Sequence, residues 1–507
     1  MSENVFEVLQ AGFAPALDRP FLREPGKGSH TYRDLVDRSA AFAAFLRSTG
    51  CQPGDRVVVQ VDKSADAIAF YMACLQTGCI YVPLNVAYTP SEVAYYLENA
   101  EPRLLICRPE DEVKLAPLIQ GTSVEHLLTL GGARDGSLAE ACRSLEPDFE
   151  ITPRQASDQA TMLYTSGTTG KPKGARITHG NLASNARALT ETWGWRSDDV
   201  LLHALPIFHV HGLFIALHCA MLYGSTVEFL PRFEPKAVRA LLSRATVFMG
   251  VPTFYERLLG EPDFCREDCS HIRLFISGSA PLTESTFRRF TERSGHRILE
   301  RYGMTETGIL TSNPLEGERI EGTVGYPLPG VEARVVGEDG EPCPPDEVGE
   351  VEVHGAGVFR GYWNAPEKTR ESFRADGFFR TGDLGTQAHD GRITLVGRGS
   401  DLIISGGYNI YPKEIEICLE EIPGILESAV VGLPHPDFGE AVTAFVVTEE
   451  SSAFDAAQID SLLGDRLARF KHPKKVFRVS SLPRNAMGKI QKALLRSEHA
   501  KFYETTE

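Results

Sequence analysis

The chain has 507 residues, of which 42% are hydrophobic and 24% charged, and its formal net charge is −16. This length exceeds what one compact core usually holds, so two or more domains are expected. The acidic balance argues against general binding to nucleic acid or to an anionic membrane surface, and any anionic ligand would need local cations.

The first eleven residues contain Glu3 and Glu7 but no arginine, which predicts neither a secretory signal nor a transit peptide. No apolar run approaches 18 residues, so no transmembrane helix is expected. The ten cysteines are scattered, which favours a reducing compartment over a disulfide framework. A zinc site at Cys265, Cys269 and His271 is a weak alternative to ordinary packing there. These features predict a cytoplasmic protein, and we expect a monomer or a weak homo-oligomer.

Residues 31–130 alternate amphipathic helical patterns with short apolar strands. The pattern predicts helices over 32–49 and 65–78, and strands over 56–61, 80–84 and 104–107. The same rhythm continues from 180 to 310, with strands predicted over 200–205, 226–230, 246–251 and 273–277. Alternation of this kind is typical of parallel sheets covered by helices. We therefore expect an α/β protein with two layered α/β subdomains.

From about residue 320 the segments shorten and turn signals become frequent, which indicates a small antiparallel β unit. A polar interruption near Arg398 precedes a new apolar strand at 402–404. We place the main domain boundary there, with one domain over 1–398 and a small α+β domain over 399–507.

The run at 164–174 is the strongest chemical signal in the chain. It leaves a buried strand predicted at 159–163 and reads YTSGTTGKPKG, with three glycines, four serine or threonine residues and two lysines. Glycine lets backbone N–H groups approach a ligand, hydroxyls add donors, and Lys171 and Lys173 add positive charge, so the run suits a polyphosphate. A flexible surface turn is the alternative. The run is not a Walker A loop, because Pro172 follows Lys171 and Gly174 follows Lys173.

A second polar run, RYGMTET at 301–307, follows a strand-like segment at 297–300. A loop at the carboxyl edge of a parallel sheet is where ligands bind. Glu306 offers a hard oxygen ligand for Mg²⁺, and Thr305 offers a hydroxyl to phosphate. The alternative is a capping box that opens a helix.

These runs resemble the nucleotide-binding motifs of AMP-forming acyl-CoA synthetases, the family that includes luciferases and peptide-synthetase adenylation domains. Three further segments match that family: SGSAPL at 277–282, RTGDL at 380–384 with Gly397-Arg398, and PRNAMGKI at 483–490. The resemblance implies a small β-barrel in the large domain and a mobile C-terminal domain. At the family's hinge, where Asp or Lys is usual, this chain has Ser400, which we expect to alter the balance between two domain orientations without abolishing the rotation.

The resemblance also implies residue roles. Lys489, Thr305, Glu306 and His209 would be catalytic, with Glu306 holding Mg²⁺. Tyr302 would stack on adenine, and Asp383 with Arg398 would bind the ribose. The implied nucleotide-binding set is Thr165, Ser166, Gly167, Thr168, Thr169, Gly170, Lys171, Lys173, Gly278, Ser279, Ala280, Glu300, Arg301, Tyr302, Gly303, Met304, Thr305, Asp383 and Arg398. The residues implied to face coenzyme A are Gly406, Gly407 and Tyr408.

The segments implied to form the acyl pocket are polar at one end. His211, Arg257 and Ser279 would place hydrogen-bond donors there, and arginine suits a carboxylate. A second carboxylate on the substrate is therefore expected. Within the family, ALPIFHVHGLF, GVPTFYERLL and TVGYPLPGVEARVV resemble malonyl-CoA synthetases, in which the residue matching Arg257 binds the distal carboxylate. The alternative is a surface pair between Arg257 and Glu261.

The resemblance thus implies an enzyme that joins malonate to coenzyme A with ATP and Mg²⁺, through an acyl-adenylate. Methylmalonate is an expected secondary substrate, since one methyl group is discriminated by only about 1–3 kcal/mol. The alternatives are a ligase for short- or medium-chain monocarboxylates, an adenylation enzyme that loads a carrier protein, an ATP-dependent phosphotransferase and a non-catalytic binding protein. Because no carrier segment follows residue 507, the carrier-loading alternative is expected to be the weaker one.

Overall fold

The computed structural model describes residues 3–132, 135–165, 172–449, 459, 462–464, 466–485 and 488–503. The strands are β1 (Pro20–Glu24), β2 (Gly28–Thr31), β3 (Arg56–Gln60), β4 (Ile80–Pro83), β5 (Leu104–Cys107), β6 (His126–Thr129), β7 (Gln159–Thr165), β8 (Lys173–Thr178), β9 (Val200–His203), β10 (Thr226–Phe229), β11 (Val247–Gly250), β12 (Leu274–Ser277), β13 (Leu299–Met304), β14 (Gly308–Ser312), β15 (Tyr326–Pro327), β16 (Val331–Val336), β17 (Gly349–Gly355), β18 (Phe379–Gln387), β19 (Ile393–Arg398), β20 (Ile403–Ser405), β21 (Tyr408–Ile410), β22 (Ile425–His435), β23 (Gly439–Thr448) and β24 (Lys475–Arg478).

The α-helices, of which the last two in the chain pack on opposite faces of the last sheet, pack mainly on the two large sheets. They are α1 (Val5–Phe13), α2 (Tyr32–Ser48), α3 (Ala65–Thr77), α4 (Pro90–Ala100), α5 (Glu112–Leu115), α6 (Ser137–Cys142), α7 (His179–Thr192), α8 (Leu217–Tyr223), α9 (Pro235–Leu242), α10 (Pro252–Leu259), α11 (Glu284–Ser294), α12 (Pro366–Glu371), α13 (Pro412–Glu420) and α14 (Lys492–His499). The helices and strands predicted before residue 280 all form, with bounds that differ by at most two residues.

Two mostly parallel sheets form the large part of the molecule. The first has six strands in the order β6-β5-β3-β4-β7-β8, in which only β8 runs antiparallel to its neighbour. The second has nine strands in the order β15-β14-β13-β12-β11-β9-β10-β1-β2, with parallel pairing from β1 through β13. The predicted pair of α/β layers is confirmed, and the carboxyl ends of the parallel strands supply the ligand-binding edge expected of such sheets.

Helix α3 explains why the two sheets form one body. A capping serine, Ser64, accepts a hydrogen bond from the Ala67 amide, and Gly78 ends the helix with a φ of 76°. Every residue from Ala65 to Thr77 is buried, so the helix lies between layers rather than on the surface. Its one buried carboxylate, Asp66, is neutralised by Arg38 at 2.8 Å. A single apolar core then runs from this helix into both sheets.

The remaining strands form two smaller sheets. Strands β16–β19 make a four-stranded antiparallel sheet, which confirms the small antiparallel β unit predicted after residue 320. The strand order does not close within the described residues, so the barrel implied by the resemblance stays a prediction. Strands β20–β24 make a separate sheet that packs against α13 and α14. This last sheet begins five residues after Arg398, but the exact boundary between residues 398 and 399 remains a prediction. No helix in the part of the chain that the structure describes is long and apolar enough to cross a membrane.

A buried ion pair ties together the amino ends of three strands in the second sheet. Asp199 precedes β9 and accepts hydrogen bonds from Arg273 at 2.6 and 2.7 Å and from the Thr246 hydroxyl at 2.7 Å. Burial opposes ionisation of Asp199, but the hydrogen bonds from Arg273 and Thr246 outweigh it and lower the pKa of the carboxyl group. The stabilisation is therefore present at neutral pH and is lost as the pH falls through that lowered pKa.

We expect Asp199→Ala to lower the free energy of unfolding by about 3 kcal/mol, because it leaves the Arg273 guanidinium buried without its partner. Urea denaturation followed by circular dichroism measures this change. The matched control is Asp18→Ala, which removes an exposed carboxylate that pairs with Arg33 and should leave the midpoint unchanged. Equal midpoints for both variants would contradict the assignment.

Candidate active site

The second motif forms a β-hairpin and not a loop that opens a helix. Strand β13 continues through Arg301, Tyr302 and Gly303 to Met304, and β14 returns from Gly308. The sequence-based expectation of a polar loop over 301–307 was therefore wrong for its first four residues, and the capping-box alternative is excluded. Only Thr305, Glu306 and Thr307 form the turn, which lies beyond the carboxyl end of a parallel strand.

The turn is held in place by a side chain that the sequence did not single out. The Asn185 amide group donates to the Ile309 carbonyl oxygen at 2.8 Å and accepts from the Ile309 amide at 3.1 Å. A Cβ added at Gly308, whose φ is 64°, would lie 2.6 Å from the Asn185 Oδ1 atom. The hairpin therefore needs glycine at this position and an amide side chain on α7. One asparagine in a helix gives no sequence signal for this role.

Glu306 is the most enclosed carboxylate at this edge. It is 5% exposed, and its Oε1 atom accepts hydrogen bonds from the Tyr362 hydroxyl at 3.0 Å and from the Thr165 hydroxyl at 3.3 Å. Burial raises the pKa of Glu306, and these hydrogen bonds oppose the rise. Thr165 ends β7, so this contact joins the carboxyl edges of the two large sheets. Tyr362 was missed, although a glycine-aromatic-aromatic run at 361–363 marks it in the sequence.

This environment fits a divalent cation held by one carboxylate. Hard oxygen ligands suit Mg²⁺, which commonly takes one or two protein carboxylates and completes its shell with phosphate oxygens and water. Within the residues that the structure describes, no group of three or more His, Cys, Asp or Glu side chains could hold a metal by itself. The zinc alternative at Cys265, Cys269 and His271 is thereby disfavoured, and all ten cysteines are free thiols.

The phosphate-binding run itself can be placed only at its ends. Thr165 and Lys173 end β7 and begin β8, which pair with each other, and residues 166–171 lie outside the described residues. Six predicted nucleotide contacts therefore stay predictions: Ser166, Gly167, Thr168, Thr169, Gly170 and Lys171. Burial lowers the pKa of Lys173, and Glu306 is among the carboxylates that oppose this, which indicates that the lysine lies near the carboxylate.

The predicted ribose pair forms. Asp383 and Arg398 are paired across β18 and β19, and the Arg398 Nε atom lies 2.8 Å from the Asp383 Oδ1 atom. The other carboxylate oxygen accepts a hydrogen bond from the Tyr302 hydroxyl. Asp383 and Tyr302 are both buried. Asp383 and Arg398 are 81 and 96 residues from Tyr302 in sequence, so residues of three different strands meet at the Asp383 carboxylate.

Lys489 follows the last strand, β24, in the chain and lies near Asp383 and Arg398. Crowding by protein atoms lowers the pKa of Lys489, and Arg398 lowers it further, while Asp383 and Asp401 oppose both effects. The side chain nevertheless still reaches solvent. The preceding residue, Gly488, lies against α10, because a Cβ added there would be 2.9 Å from the Thr253 hydroxyl oxygen. Residues 488–490, which we call the lysine loop, therefore lie against the large part of the molecule.

Adjacent residues of β13 serve two different pockets. Side chains alternate between the two faces of a strand, so Tyr302 lies toward Asp383, and Arg301 lies on the opposite side, beneath the Ser277-Gly278-Ser279 turn. A Cβ at Gly278 would lie 2.5 Å from the Arg301 Cζ atom, so only glycine allows this approach. Ser279 adopts a φ of 71°, which is unusual for a residue other than glycine.

Arg301 is a buried guanidinium that has no carboxylate partner among the residues that the structure describes. It is 3% exposed, and within the described residues its Nε and Nη2 atoms have no hydrogen-bond partner. Burial lowers its pKa to about 9, so it is cationic at neutral pH. The adjacent Glu300 carboxyl group does not neutralise it, because burial raises the pKa of Glu300 to about 8.

Two histidines border the guanidinium. Burial, with a further contribution from Arg301, lowers the pKa of His209 to about 4 and lowers that of His211 well below its usual value. His211 Nδ1 lies 3.3 Å from the Ser279 hydroxyl oxygen, and its Nε2 atom has no partner in the part of the chain described. Ser277 Oγ is likewise unpartnered there. Neutral polar groups thus surround a single positive charge.

Arg257 lies in a different setting from the one expected. It is exposed on α10, and its guanidinium lies 5.0 Å from the Phe233 ring centroid. Thr253, one helical turn earlier, lies on the same face of the helix and contacts the lysine loop. Arg257 is therefore near the mouth of the site, and its role as a substrate ligand stays a prediction.

The predicted coenzyme A loop joins β20 to β21. Gly406 and Gly407 have φ values of 58° and 82°, which a tight turn requires. Tyr408 is 56% exposed and stacks on Phe470 with ring centroids 4.5 Å apart. Ser400 lies in a 3₁₀ turn (Gly399–Asp401) between the two parts of the chain. These positions are compatible with the predicted roles but do not test them.

Comparison with known proteins agrees with this geometry. The family described as "AMP-binding enzyme" matches residues 10–363, and the one described as "AMP-binding enzyme C-terminal domain" matches residues 414–489. A malonate–CoA ligase from Arabidopsis thaliana is 35% identical over 98% of this chain and 89% of its own, and a feruloyl-CoA synthase from an Amycolatopsis species is 37% identical over 92% and 93%. The ATP-bound structure of MatB from Rhodopseudomonas palustris is 46% identical, covers 99% of this chain and 100% of its own, and superposes with a TM-score of 0.96. The paired edges at Thr165 and Glu306, the Asp383–Arg398 pair and these matches lead to one conclusion: the chain belongs to the AMP-binding enzyme family.

Proposed function

We propose that this protein is an ATP-dependent malonate–CoA ligase. Malonate attacks the α-phosphate of ATP to give malonyl-adenylate and pyrophosphate, and the coenzyme A thiol then displaces AMP to give malonyl-CoA. The similarity to the Arabidopsis malonate–CoA ligase and to MatB supports this substrate. Because a feruloyl-CoA synthase is equally similar in identity, the choice of acid must also be argued from the pocket.

The unpaired guanidinium of Arg301 is the observation that carries the proposal. A buried charge without a partner is costly, and an anionic group on the substrate would remove that cost. One carboxylate of malonate must reach the α-phosphate, so the second is free to meet Arg301. An aromatic or aliphatic acid would leave Arg301 unpaired and would also have to displace it from the pocket. We therefore propose that Arg301 binds the distal carboxylate of the substrate and not the nucleotide.

Neutral groups complete the recognition of the distal carboxylate. His211 Nε2 and Ser277 Oγ are buried without partners in the described residues, and each can donate to a carboxylate oxygen. Neither competes with Arg301 for the charge. Methylmalonate remains a secondary substrate, because a single methyl group changes little of this hydrogen bonding.

The nucleotide would bind on the other face of β13. Asp383 and Arg398 would bind the ribose hydroxyls, and Tyr302 would border the base. Thr305, in the turn that ends β13, would contact the α-phosphate. Glu306 would hold Mg²⁺, which neutralises phosphate charge when bound. Lys173 and Lys489 supply the mobile cations that two anionic reactants need in order to meet, since this chemistry depends mainly on positioning and charge neutralisation.

Lys489 would act in only one of the two half-reactions. Its ammonium group can bridge the substrate carboxylate and the α-phosphate as a point charge. For the thiol to enter, the small C-terminal domain (399–507) would turn and present Gly406 and Gly407, whose lack of side chains leaves room for the pantetheine arm. The free thiols throughout the chain favour a reducing compartment, and we propose a cytoplasmic enzyme that is a monomer or a weak homo-oligomer.

The direct test is a panel of acids assayed for AMP and pyrophosphate release with and without coenzyme A. We expect malonate to give the highest kcat/KM, methylmalonate a lower value, and acetate, butyrate and ferulate values lower by at least 100-fold. ADP formation would point to a phosphotransferase, and a preference for ferulate or butyrate would refute the malonate assignment.

Arg301→Leu should lower kcat/KM for malonate by about 100-fold, which corresponds to about 3 kcal/mol for losing one partner of a buried charge pair. The KM for ATP should change little. Because the wild-type charge is unpaired, the variant should melt at the same temperature as wild type or higher. The control is Arg33→Leu, which removes an exposed arginine. Lower thermal stability with unchanged malonate turnover would show a structural role instead.

Arg257→Leu tests the second guanidinium. Because Arg257 is exposed, its interaction with an anion is partly screened, and we expect about a tenfold loss in kcat/KM for malonate with an unchanged KM for ATP. Steady-state kinetics beside Arg301→Leu rank the two residues. A loss for Arg257→Leu that exceeds that for Arg301→Leu would reverse the proposed order.

Lys489→Ala should abolish adenylate formation but spare thioester formation from supplied malonyl-adenylate. Pyrophosphate exchange measures the first half-reaction, and thiol consumption measures the second. Similar losses in both half-reactions would contradict a role confined to adenylation.

A further inference from the structure

Lys63 is a partly buried lysine with histidine and aromatic neighbours. It follows β3 in the first sheet, and its Nζ atom lies 2.7 Å from His203 Nδ1 and 3.0 Å from the His203 carbonyl oxygen. The Phe229 ring centroid is 4.3 Å from the same atom. Within the described residues Lys63 has no ion pair with a carboxylate. An amine in such surroundings has a lowered pKa because of burial, and Glu24 opposes this only from a distance.

The hydrogen bonds around His203 determine its tautomer. The Nε2 atom lies 2.9 Å from the Gly212 carbonyl oxygen, and a carbonyl oxygen can only accept, so Nε2 carries the hydrogen. The ring is neutral, because burial and then Lys63 lower the pKa of His203 well below its usual value. Nδ1 is therefore an acceptor, and Lys63 donates to it.

Gly212 connects this pair to the acyl pocket. It lies in a π-helical turn (His211–Ala216) that begins with His211. A Cβ added at Gly212 would lie 2.0 Å from the Pro206 carbonyl oxygen, so the turn packs closely against the preceding loop. A wider π turn is often found at functional sites. The Gly212 carbonyl is separated from His211 by the 211–212 peptide unit and the Gly212 Cα atom, and both residues lie in the same closely packed turn. The direction of the carbonyl and that of the His211 side chain are linked through the backbone of this turn.

We propose that Lys63 is a positioning residue for the acyl pocket. By donating to Nδ1, Lys63 holds His203 in its Nε2–H tautomer, and His203 in turn fixes the Gly212 carbonyl. The fixed carbonyl keeps His211 directed toward Arg301. This inference rests on the proposed function, because it assigns His211 to the substrate carboxylate. Lys63 belongs to the first sheet and His203 to the second, so the pair also couples the pocket to the packing of the two sheets.

A merely structural link between the sheets would behave differently. Losing such a link would lower stability and would change the kinetic constants for ATP and malonate in the same proportion. Losing a positioning residue would change the acid constants selectively, because the nucleotide lies on the other face of β13.

Lys63→Met removes the donor with a side chain of similar length, and Lys63→Arg keeps a donor. We expect Lys63→Met to raise the KM for malonate at least tenfold, while its KM for ATP stays within twofold of wild type. Lys63→Arg should keep the KM for malonate within threefold of wild type. The matched control is Lys114→Met, at an exposed lysine that pairs with Asp111, which should change neither constant. An unchanged malonate KM in Lys63→Met, or a proportional change in both constants, would overturn the proposal.

Two additions keep the test decisive. If Lys63→Met does not fold, Lys63→Gln replaces it, with an expected rise of at least threefold in the malonate KM at an unchanged KM for ATP. The wild-type enzyme is first assayed with the panel of acids, and the variants are then compared on the acid that it uses best. Failure of the malonate assignment appears in the wild-type panel, whereas failure of the Lys63 proposal appears in the ratio of variant to wild type.

Discussion

A buried positive charge that lacks a negative partner among the described residues is the constraint on which the proposed acyl pocket depends. Arg301 is almost fully buried, and the acidic side chain next to it, Glu300, is largely protonated at neutral pH. Such an arrangement lowers the stability of the free enzyme, but it makes an anion the ligand that the pocket favours most. On the proposed function, specificity for a dicarboxylate would follow from an unfavourable interaction in the unliganded protein as much as from a favourable one with substrate.

The position of that charge follows from strand geometry. Arg301 and Tyr302 are neighbours in β13, yet they face opposite sides of the strand. One face contacts the turn at Gly278, and the other contacts Asp383. On the proposed function, this single strand would separate the acid from the base and ribose while both remain close to the Thr305–Glu306 turn. The two reactants would then meet at the end of the strand.

Much of this could be predicted from the sequence, for identifiable physical reasons. Short apolar runs between turn signals predicted eight strands of the two large sheets, and β5 matched residue for residue. Strands β1, β2, β6 and β8 of these sheets were not predicted. The family resemblance singled out Asp383 and Arg398 together, and the two side chains form an ion pair, while their role in binding the ribose stays a prediction. The sequence did not predict that β13 extends through Gly303, because a polar run containing glycine has the composition of a loop and its pairing partner follows only after the turn. The contacts of Tyr362 and Lys63 were missed because their partners are 56 and 140 residues away, so no local pattern could indicate them.

The positively charged residues of the site come from separate elements of the fold. In a chain with a net charge of −16, Lys173, Arg301, Arg398 and Lys489 are each supplied by a different strand or loop. Burial and then Arg398 lower the pKa of Lys489, whereas Asp383 and Asp401 raise it, so the repulsion between the two positive groups is only partly offset by these carboxylates. A bound triphosphate would turn that repulsion into a shared attraction, and departure of pyrophosphate would weaken it again. On the proposed function, this repulsion supplies a physical reason for the lysine loop to dock during adenylation and to leave before the thiol enters.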